Sequence, residues 1–407
     1  MSRRLDRCFS FDDIRRLARR RLPRILFDVI DSGVEDERLL ARNEQAFADR
    51  HLVPRQMQDV GRRSQAVTLF GRRYASPVGV APTGLAGLFR PGAESALARA
   101  AAACDVPFVL SGACLEALES VASIAPDRTW YQLYAARDWS VSQDLMARAR
   151  AQGIEVLVLT VDAPVYPKRE RDLRNGFGLP LKPTPSLLLE ALRHPAWIAD
   201  HLRHGGLPMM HTWARYAGPN ADAAAVFAYF RSQSPSVQTW RDLDLFRRHW
   251  PGRLVVKGLQ HPDDGVRAAE AGVDGIIVSN HGGKALDRGP AALDMLPGMA
   301  AAVGERVTVM MDSGVRRGAD AVIARCLGAQ CTFVGRAPLY GVIAAGEPGV
   351  RRVLDLLRDE IDRTLGLIGV PDFEALGPQA LGPRVLHAGA AHPSTPAPAA
   401  ADWAAAA

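Results

Sequence analysis

Residues 156–162 read Val-Leu-Val-Leu-Thr-Val-Asp, an apolar run that ends on polar side chains. Apolar residues that follow one another without alternation are typical of a strand buried on both faces, as in parallel sheets. Seven further runs share this character, at 78–83, 107–112, 129–134, 254–258, 275–280, 307–312 and 331–335. Helix-like stretches such as 92–104 and 317–327 separate most of them. Eight strand–helix units in succession predict an α/β fold, a (β/α)8 TIM barrel.

Two segments do not follow this alternation of strands and helices. Residues 10–50 favour an N-terminal helical segment, with Ser10 as its N-cap. The connection from 163 to 253, after the fourth strand, is much longer than a barrel loop needs, and such loops are usually functional. We expect a single domain over residues 1–386 that contains this long insertion, and a disordered low-complexity tail at 387–407.

The composition predicts a reduced, cytoplasmic protein with no membrane-spanning helix. Of its 407 residues, 48% are hydrophobic, enough for one large core. No apolar stretch approaches the roughly 18 residues of a transmembrane helix, and the basic N-terminus lacks the apolar region of a secretory signal. The five cysteines form no CxxC pair, so neither a disulfide framework nor a metal site is predicted.

The net charge of +6 comes largely from a run of arginines between residues 15 and 24. Aromatic residues are not interleaved with these charges and no nucleic-acid-binding module is present, so nucleic acid is not an expected partner. The run is interpreted either as the solvated face of a helix or as a contact for an acidic membrane surface.

Nearly every apolar run ends on a group that can form hydrogen bonds. In TIM barrels the carboxyl ends of the strands carry the active site, and a barrel without a ligand would not need polar groups at each strand end. The strand-end residues are Pro82, Thr83, Ser111, Gln132, Tyr134, Thr160, Asp162, Lys257, Ser279, His281, Asp312, Gly335 and Arg336.

Two late segments fit a phosphate group. Residues 312–320 (DSGVRRGAD) follow the seventh strand and open a helix, and residues 334–341 (VGRAPLYG) follow the eighth. Their glycines let backbone N–H groups approach an anion, which Arg316 or Arg336 can grip, and this is the common phosphate site of the fold. The alternative is two ordinary glycine turns with surface arginines.

Lys257 ends an apolar strand, where an unpaired ammonium would be costly. A flavin would explain it, because reduction places negative charge on the ring near a fixed cation. The alternative is a lysine paired with a strand-end carboxylate.

Past the sixth strand, residues 279–287 read SNHGGKALD, and the imidazole of His281 suits the role of a base near neutral pH. Asp162 could stabilise the imidazolium, although a loop histidine taken alone is more often structural.

These residues resemble the FMN-dependent α-hydroxy-acid dehydrogenases and oxidases, the family of glycolate oxidase and L-lactate dehydrogenase. SNHGGKALD is similar to the active-site signature of that family, and DSGVRRGAD and VGRAPLYG are similar to its phosphate segments. The phrases APTG, WYQLY, LTVDAP, KRERDL and LVVKG follow in the order of the family, and the likeness covers about residues 10–380. Within the family, the (S)-mandelate dehydrogenase branch is the most similar, through PTGLAG, RERDL and EIDRTLGLIG.

The resemblance implies FMN as cofactor and a homotetramer. Carried over residue by residue, it implies that FMN is held by Pro82, Thr83, Ser111, Gln132, Thr160, Lys257, Ser279, Asp312, Gly314, Arg316, Gly335 and Arg336. His281 would be the catalytic base and Asp162 its electrostatic partner. Tyr134 would bond to the substrate or the developing anion, and Arg169 would bind the substrate carboxylate.

Two positions depart from the pattern of the family, and both concern the substrate. The arginine expected three residues after the histidine is Lys284, which keeps the charge but loses the bidentate fork. Val29 stands where the family has a tyrosine hydroxyl. We therefore expect intact FMN binding and altered carboxylate recognition, with an unusual substrate or weak turnover.

The leading hypothesis is oxidation of an (S)-2-hydroxy acid, aromatic or lactate-like, to the 2-keto acid, with electrons passed from FMN to a quinone or another acceptor. The alternatives are an oxidase that uses O2 and a flavin-binding barrel that has lost turnover.

In the mandelate branch the insertion is a membrane-docking segment, which implies peripheral attachment at the cytoplasmic face of the inner membrane. The candidate docking residues are Leu187, Leu188, Leu189, Trp197, Ile198, Met209, Met210 and Trp213, unless they pack on the barrel, and Pro195 is expected to interrupt any helix there.

Overall fold

The computed structural model describes residues 2–179, 181, 184–206 and 208–384. The predicted tail, 387–407, lies outside the described residues. A short antiparallel hairpin, β1 (Val67–Leu69) and β2 (Arg72–Tyr74), precedes eight parallel strands that form a closed barrel. The barrel strands are β3 (Val78–Val80), β4 (Phe108–Ser111), β5 (Thr129–Leu133), β6 (Val156–Thr160), β7 (Arg253–Leu259), β8 (Gly275–Val278), β9 (Thr308–Met311) and β10 (Thr332–Val334). All eight predicted runs are therefore barrel strands, and the fold prediction is confirmed.

The barrel closes because β10 pairs with β3 as well as with β9. Every residue of β5, β6 and β8 is buried, since helices cover the outer face and side chains fill the interior. Trp130 and Phe333 pack against each other with ring centroids 5.4 Å apart. The predicted runs extend a residue or two beyond most observed strands, because their last residues turn into the loops at the carboxyl ends.

Helices surround the barrel and make up the segments between its strands. They are α1 (Ser2–Leu5), α2 (Phe11–Arg21), α3 (Arg24–Asp31), α4 (Arg38–Ala48), α5 (Ala86–Phe89), α6 (Ala93–Ala103), α7 (Leu118–Ala122), α8 (Trp139–Ala151), α9 (Glu170–Arg174), α10 (Pro185–Leu192), α11 (Pro195–Arg203), α12 (His211–Ala214), α13 (Ala223–Gln233), α14 (Trp240–His249), α15 (Pro262–Glu270), α16 (Ala292–Val303), α17 (Gly318–Cys326), α18 (Arg336–Ala345) and α19 (Glu347–Ile368), followed by 3-10 turns at Phe373–Ala375 and Pro378–Ala380.

The N-terminal segment is helical as predicted, and Ser10 caps α2. Its hydroxyl accepts a hydrogen bond from the Asp13 N–H, and the Asp13 carboxylate accepts from the Ser10 N–H, which completes a capping box. The helical stretch is broken at Pro23 and again at Ser32, so that α2, α3 and α4 wrap the carboxyl ends of the strands.

The long segment between β6 and β7 contains α9 to α14 and lies against the barrel rim. Two indole N–H groups hold it there: Trp197 Nε1 donates to the Leu88 carbonyl at 3.2 Å, and Trp213 Nε1 donates to the Gly112 carbonyl at 2.8 Å. Pro195 begins α11, three residues after α10 ends, so the predicted interruption is confirmed. No helix within the described ranges is long and apolar enough to cross a bilayer.

For three of the candidate docking residues the alternative interpretation, packing against the rest of the chain, holds. Trp197, Met210 and Trp213 are buried against the rest of the chain, with exposed fractions of 7%, 0% and 1%. Their large apolar surfaces stabilise the fold of the segment and are not available to lipid. Leu188 and Leu189 are exposed, whereas Leu187, Ile198 and Met209 are partly buried against the core.

Candidate active site

A cavity of about 510 Å³ opens at the carboxyl ends of the barrel strands. This volume is within the range of cofactor sites, roughly 300–1,000 Å³. Most residues selected from the sequence line it: Pro82, Thr83, Tyr134, Thr160, Arg169, Lys257, His281, Lys284, Asp312, Gly314, Arg316, Gly335 and Arg336. Ser111, Gln132 and Ser279 are buried around it and Asp162 is half-buried, and all four bond to one another or to residues that line it.

His281 stands between a carboxylate and a phenol. Its Nδ1 lies 2.9 Å from Oδ1 of Asp162, and its Nε2 lies 3.3 Å from Oη of Tyr134. Because the carboxylate can only accept, a neutral imidazole carries its proton on Nδ1 and leaves the lone pair of Nε2 for a proton from elsewhere. Burial opposes ionisation of Asp162, but the charges of His281 and Lys257 outweigh burial and lower the pKa of Asp162. The pair is arranged to take up a proton at Nε2.

The backbone at His281 holds a left-handed conformation, with φ of 59°. Such a conformation is strained for a residue with a Cβ and is often found at functional sites. Gly282 and Gly283 continue it with φ of 65° and 73°. A Cβ on Gly283 would lie 2.8 Å from the Leu40 nitrogen, so only glycine lets α4 pack this closely under the histidine.

Lys257 is buried within a group of carboxylates and hydroxyls. Its Nζ lies 3.2 Å from Oδ2 of Asp312 and 4.0 Å from Oδ2 of Asp162, and it donates to Oγ of Ser279 at 2.9 Å. Burial alone would lower the pKa of Lys257, but the two carboxylates raise it above the ordinary value. The carboxylate pairing considered from the sequence is present, and it keeps a fixed cation at the cavity wall.

Three buried polar atoms around the cavity have no hydrogen-bond partner among the described residues: Nε2 of Gln132, Oγ1 of Thr160 and Oδ2 of Asp162. The orientation of Gln132 is set by its Oε1, which accepts from Ser111 Oγ and the Gly112 N–H at 3.1 Å each. Buried polar groups are nearly always paired, so these atoms fit a ligand that offers both acceptors and donors. A flavin ring with its carbonyls and ring nitrogens has that chemistry.

The guanidinium groups of Arg316 and Arg336 both line the cavity. Burial and then the charge of Arg316 lower the pKa of Arg336 to about 10, and an anion between the two would relieve this repulsion. Arg336 is held in place by the carbonyls of Ile30, Ser32 and Gly282, at 3.0, 3.1 and 3.0 Å. The two guanidiniums and the start of α18 therefore fit a phosphate.

The start of α17, within the predicted phosphate segment 312–320, is capped by carboxylates of the chain itself. The N–H groups of Arg316 and Arg317, at the start of α17, donate to the Asp320 carboxylate at 2.7 and 2.8 Å. Asp320 therefore caps the turn that leads into α17, and the first N–H group of the helix itself, that of Gly318, donates to the Glu360 carboxylate at 2.7 Å, so these three N–H groups are not free to bind an anion. Arg316 also pairs with Glu44 at 2.9 Å, which holds its side chain over the cavity.

Three further charged side chains line the cavity, and one of them, Lys284, is close enough to Arg336 that burial and then the charge of Arg336 lower its pKa. Arg169 is the N-cap residue of α9, and its buried Nε has no partner in the part of the chain that the structure describes. Lys284 donates from Nζ to the Val29 carbonyl at 2.9 Å. Asp172, on α9, has a buried Oδ1 that is likewise unpaired among the described residues. Arg169 and Lys284, both selected from the sequence, are thus brought together.

The sequence did not identify the apolar wall of the cavity. Phe177, Leu179, Phe227 and Phe230 line it, together with Val29. Phe227 and Phe230 lie three residues apart on α13, which places them on one helix face. The spacing was visible in the insertion, but nothing in the sequence showed which side of α13 faces the barrel.

A barrel whose mouth combines a His–Asp pair, a buried lysine and two arginines after its last strands defines a flavin-dependent oxidoreductase. The sequence profile of the family described as "FMN-dependent dehydrogenase" matches residues 18–383, and the chain belongs to that family. Its cofactor is FMN.

Similarity to individual proteins extends over nearly the whole chain. A putative L-lactate dehydrogenase of Mycobacterium tuberculosis is 40% identical over 93% of this chain and 90% of that protein. The (S)-mandelate dehydrogenase of Pseudomonas putida is 38% identical over 92% of this chain and 93% of that protein. The crystal structure of the monotopic membrane protein (S)-mandelate dehydrogenase superposes with a TM-score of 0.89 at 37% identity, and covers 92% of this chain and 99% of that one.

Proposed function

We propose that this protein oxidises (S)-2-hydroxy acids with bulky apolar side chains to 2-keto acids, with FMN as the electron acceptor. The observation that carries the proposal is the His281–Asp162 pair, whose Nδ1–Oδ1 contact of 2.9 Å leaves Nε2 ready for a substrate proton. The names of the relatives, lactate and mandelate dehydrogenases, support the same substrate class.

FMN would be held along the whole mouth of the barrel. The residues proposed to bind it are Pro82, Thr83, Ser111, Gln132, Thr160, Lys257, Ser279, Asp312, Gly314, Arg316, Gly335 and Arg336. When bound, FMN supplies a two-electron acceptor for the hydrogen that leaves the substrate carbon. Lys257 provides a positive charge that favours an anionic form of the ring.

His281 takes the hydroxyl proton of the substrate at Nε2, and Asp162 stabilises the imidazolium that results. Tyr134 contributes a neutral O–H beside them: burial, and then the charge of Asp162, raise its pKa to about 12. The phenol therefore remains a donor throughout the working pH range and can bond to the substrate or to the oxygen on which charge develops.

Substrate orientation follows from the charges and the apolar wall of the cavity. Arg169, with its unpaired Nε, binds the carboxylate, and Lys284 adds a single-point contact from its ammonium. Phe177, Phe227 and Phe230 then surround the side chain at C2, which favours an aromatic acid such as mandelate over lactate.

We also propose peripheral attachment to the cytoplasmic face of an inner membrane, where a quinone would receive the electrons. Leu188, Leu189 and Leu192 are exposed on α10. The N-terminal helices lie beside this segment: the N–H of Arg24, the first residue of α3, donates to Glu190 on α10 at 2.7 Å, and Arg21 of α2 pairs with Asp200 of α11. Apolar residues next to arginines fit an acidic lipid surface, and the similar mandelate dehydrogenase is a monotopic membrane protein. A homotetramer is proposed on family grounds alone.

The test is anaerobic reduction of the FMN-loaded protein by a panel of acids, read as loss of flavin absorbance. The panel contains (S)-mandelate, (S)-phenyllactate, (S)-lactate and, as the control, (R)-mandelate. Bleaching by (S)-mandelate well ahead of (S)-lactate is expected. If no acid bleaches a fully loaded protein, the proposal fails and a non-catalytic flavin barrel remains. The rate at which the reduced flavin is reoxidised then distinguishes the electron acceptors. We expect slow reoxidation in air and fast reoxidation by a soluble quinone, whereas rapid formation of peroxide in air would identify an oxidase.

A further inference from the structure

The hydroxyl of Ser313 bonds to the backbone on both sides of His281. Its Oγ accepts from the N–H of Asn280 at 3.3 Å and from the N–H of Gly282 at 3.0 Å, and it donates to Oδ1 of Asp312 at 2.9 Å. A serine hydroxyl has one hydrogen and two lone pairs, so these three bonds use its whole capacity. Because the carboxylate can only accept, the hydrogen points to Asp312 and the two lone pairs face the N–H groups.

The backbone conformation of Ser313 is unusual for a residue with a side chain. Its φ of 78° lies in the left-handed region, which glycine adopts without strain and serine does not. Ser313 is buried, so its hydroxyl does not serve contact with bulk water. A strained residue of this kind persists where the surrounding structure holds it, often at a functional site. The strain at Ser313 is therefore offset by the bonds that its hydroxyl makes.

Those bonds support the turn that carries the base. The turn, residues 280–283, has left-handed backbone at His281, Gly282 and Gly283. The N–H of His281 donates to Oγ of Ser279 at 3.1 Å, and the N–H of Gly283 donates to both the carbonyl and the side-chain oxygen of Asn280 at 3.1 Å. All four N–H groups of the turn are thus paired, and two of the four depend on Ser313.

The same bonds connect the turn to the buried cation. Oδ2 of Asp312, whose Oδ1 accepts from Ser313, lies 3.2 Å from Nζ of Lys257. Ser279, which accepts from the His281 N–H, also accepts from Nζ of Lys257 at 2.9 Å. Both hydroxyls that hold the turn are consequently tied to Lys257, one directly and one through Asp312. The base and the cation at the cavity wall therefore keep a fixed relative position.

We propose that Ser313 is a positioning residue for the oxidation. Its hydroxyl holds the turn so that the imidazole of His281 meets Asp162 through Nδ1 and the substrate hydroxyl through Nε2. The inference rests on the proposed function, and Ser313 acts through His281 without itself taking a proton from the substrate. The competing explanation is that Ser313 serves only the binding of FMN, since it lies between Asp312 and Gly314, which are proposed to bind the cofactor.

The experiment compares Ser313→Gly with Ser313→Ala at saturating FMN. Both changes remove the hydroxyl, but glycine relieves the backbone strain and alanine retains it. In both variants we expect the rate of anaerobic flavin reduction at saturating (S)-mandelate to fall by about tenfold to a hundredfold, the effect of a slightly misplaced catalytic group. The KM and the dissociation constant of FMN should remain unchanged. Ser123→Ala, at an exposed serine after α7, is the control and should behave like the wild type.

Two results of this comparison would overturn the inference. If Ser313→Gly keeps the wild-type rate, the hydroxyl is not needed and only the backbone conformation matters. If FMN binding weakens while the rate at saturating FMN is unchanged, Ser313 serves the cofactor and not the base. Should Ser313→Ala fail to fold, Ser313→Gly decides, because a φ of 78° suits glycine.

A double variant tests whether Ser313 acts through His281. When Ser313→Gly is added to His281→Gln, no further fall in the rate is expected, because the group that Ser313 positions is already absent. A further fall as large as that in the single Ser313→Gly variant would show that Ser313 acts on the substrate or the flavin by another route, and the inference would be wrong.

A spectroscopic measurement does not require turnover. In the FMN-loaded protein with 15N-labelled histidine, the Nδ1 proton of His281, bonded to Asp162, is expected to give a downfield imidazole resonance that is absent in His281→Gln. Ser313→Gly should broaden or remove this resonance, and Ser123→Ala should retain it. A resonance that Ser313→Gly leaves unchanged overturns the inference. If no acid reduces the wild-type flavin, the proposed function fails, whereas this resonance still decides whether Ser313 positions His281.

Discussion

His281 and Asp162 meet through Nδ1 and Oδ1 at 2.9 Å, across 119 positions of the chain. The carboxylate fixes both the tautomer and the direction of the imidazole, so the lone pair of Nε2 faces Oη of Tyr134 at 3.3 Å, where a substrate hydroxyl would be activated. Asp162 can approach this closely because Gly258, with φ of 108°, has no Cβ: one there would lie 2.5 Å from Cβ of Asp162. The irregular register of β7 at this glycine is thus part of the catalytic geometry.

Removing the base should slow flavin reduction without releasing the cofactor. For His281→Gln, we expect the rate of anaerobic bleaching by (S)-mandelate to fall by roughly 10²–10⁴, the usual contribution of a general base. Stopped-flow absorbance measures the rate, and the flavin-to-protein absorbance ratio measures cofactor content. A variant that keeps the wild-type rate would exclude His281 as the base.

The buried lysine should be strongly coupled to its carboxylate. Lys257→Met leaves Asp312 and Asp162 without their cation, and we expect the free energy of unfolding to fall by about 3–5 kcal/mol. Adding Asp312→Asn removes one stranded charge and should restore part of this loss. Urea denaturation of the two single variants and the double variant provides the cycle. If the losses in the free energy of unfolding of the two single variants add up strictly in the double variant, the 3.2 Å contact between Lys257 and Asp312 does not contribute to stability.

Lys284→Arg should improve the binding of carboxylate substrates. A guanidinium at this position stays charged and can form a bidentate contact, whereas the present ammonium is tied to the Val29 carbonyl. We expect the KM for (S)-mandelate to fall by about tenfold. The matched control is Lys168→Arg, an exposed lysine paired with Glu170, which should not change KM. An unchanged or higher KM in Lys284→Arg would argue against a carboxylate contact at this position.

Glu94 should make stability depend on pH. Its Oε1 accepts from the N–H groups of Gly87 and Leu115, its Oε2 is buried and unpaired among the described residues, and burial raises its pKa from 4.5 to about 7. The folded state therefore holds this proton more tightly than the unfolded state, and stability falls as the pH rises from about 4.5 to about 7. The loss from this group is at most about 3 kcal/mol.

Glu94→Gln should remove that part of the pH dependence. Urea midpoints at pH 5 and pH 8 are expected to differ less in this variant than in the wild type, whereas the exposed Glu305→Gln should behave like the wild type. Equal pH dependence in all three proteins would show that Glu94 does not titrate in this interval.

Membrane attachment should depend on α10. Leu192 is 72% exposed on α10, and Leu367 is 73% exposed on α19, far along the chain. We expect Leu192→Glu to lower the fraction that sediments with vesicles containing acidic phospholipid, since a buried charge at the lipid interface is unfavourable. Leu367→Glu, the same change at the same exposure, should sediment like the wild type. Equal loss in both would indicate non-specific adhesion.

The barrel was predictable because its strands carry a local signal. Each is a short apolar run with a polar end, and parallel strands bring those ends to one rim, so residues as distant as Thr83 and Arg336 could be assigned to one site. Long-range contacts have no such signal. Nothing in the sequence shows that Arg336 bonds to carbonyls of α3 and its C-cap, or that Asp320 accepts from the N–H groups of the two residues before α17.

The sequence also did not show which apolar residues of the insertion are buried. Its tryptophans and leucines were indistinguishable as apolar residues, yet Trp197 and Trp213 are buried while Leu188 and Leu192 are exposed. Composition identifies apolar surface but not what covers it. The unpaired Oδ1 of Asp172 was equally invisible, because burial and hydrogen bonding of a side chain are set by the tertiary structure.

The indole hydrogen bonds from Trp197 and Trp213 make the insertion an integral part of the barrel rim, not a detachable accessory. Cutting out α10 to α12 would leave the carbonyls of Leu88 and Gly112 without their donors, and each of these residues directly precedes one that lines the cavity, Phe89 and Ala113. An exchange of this segment between relatives is therefore constrained. A transplanted segment must contain both tryptophans, because without their hydrogen bonds the rim of the cavity proposed to hold FMN would lose two of its contacts.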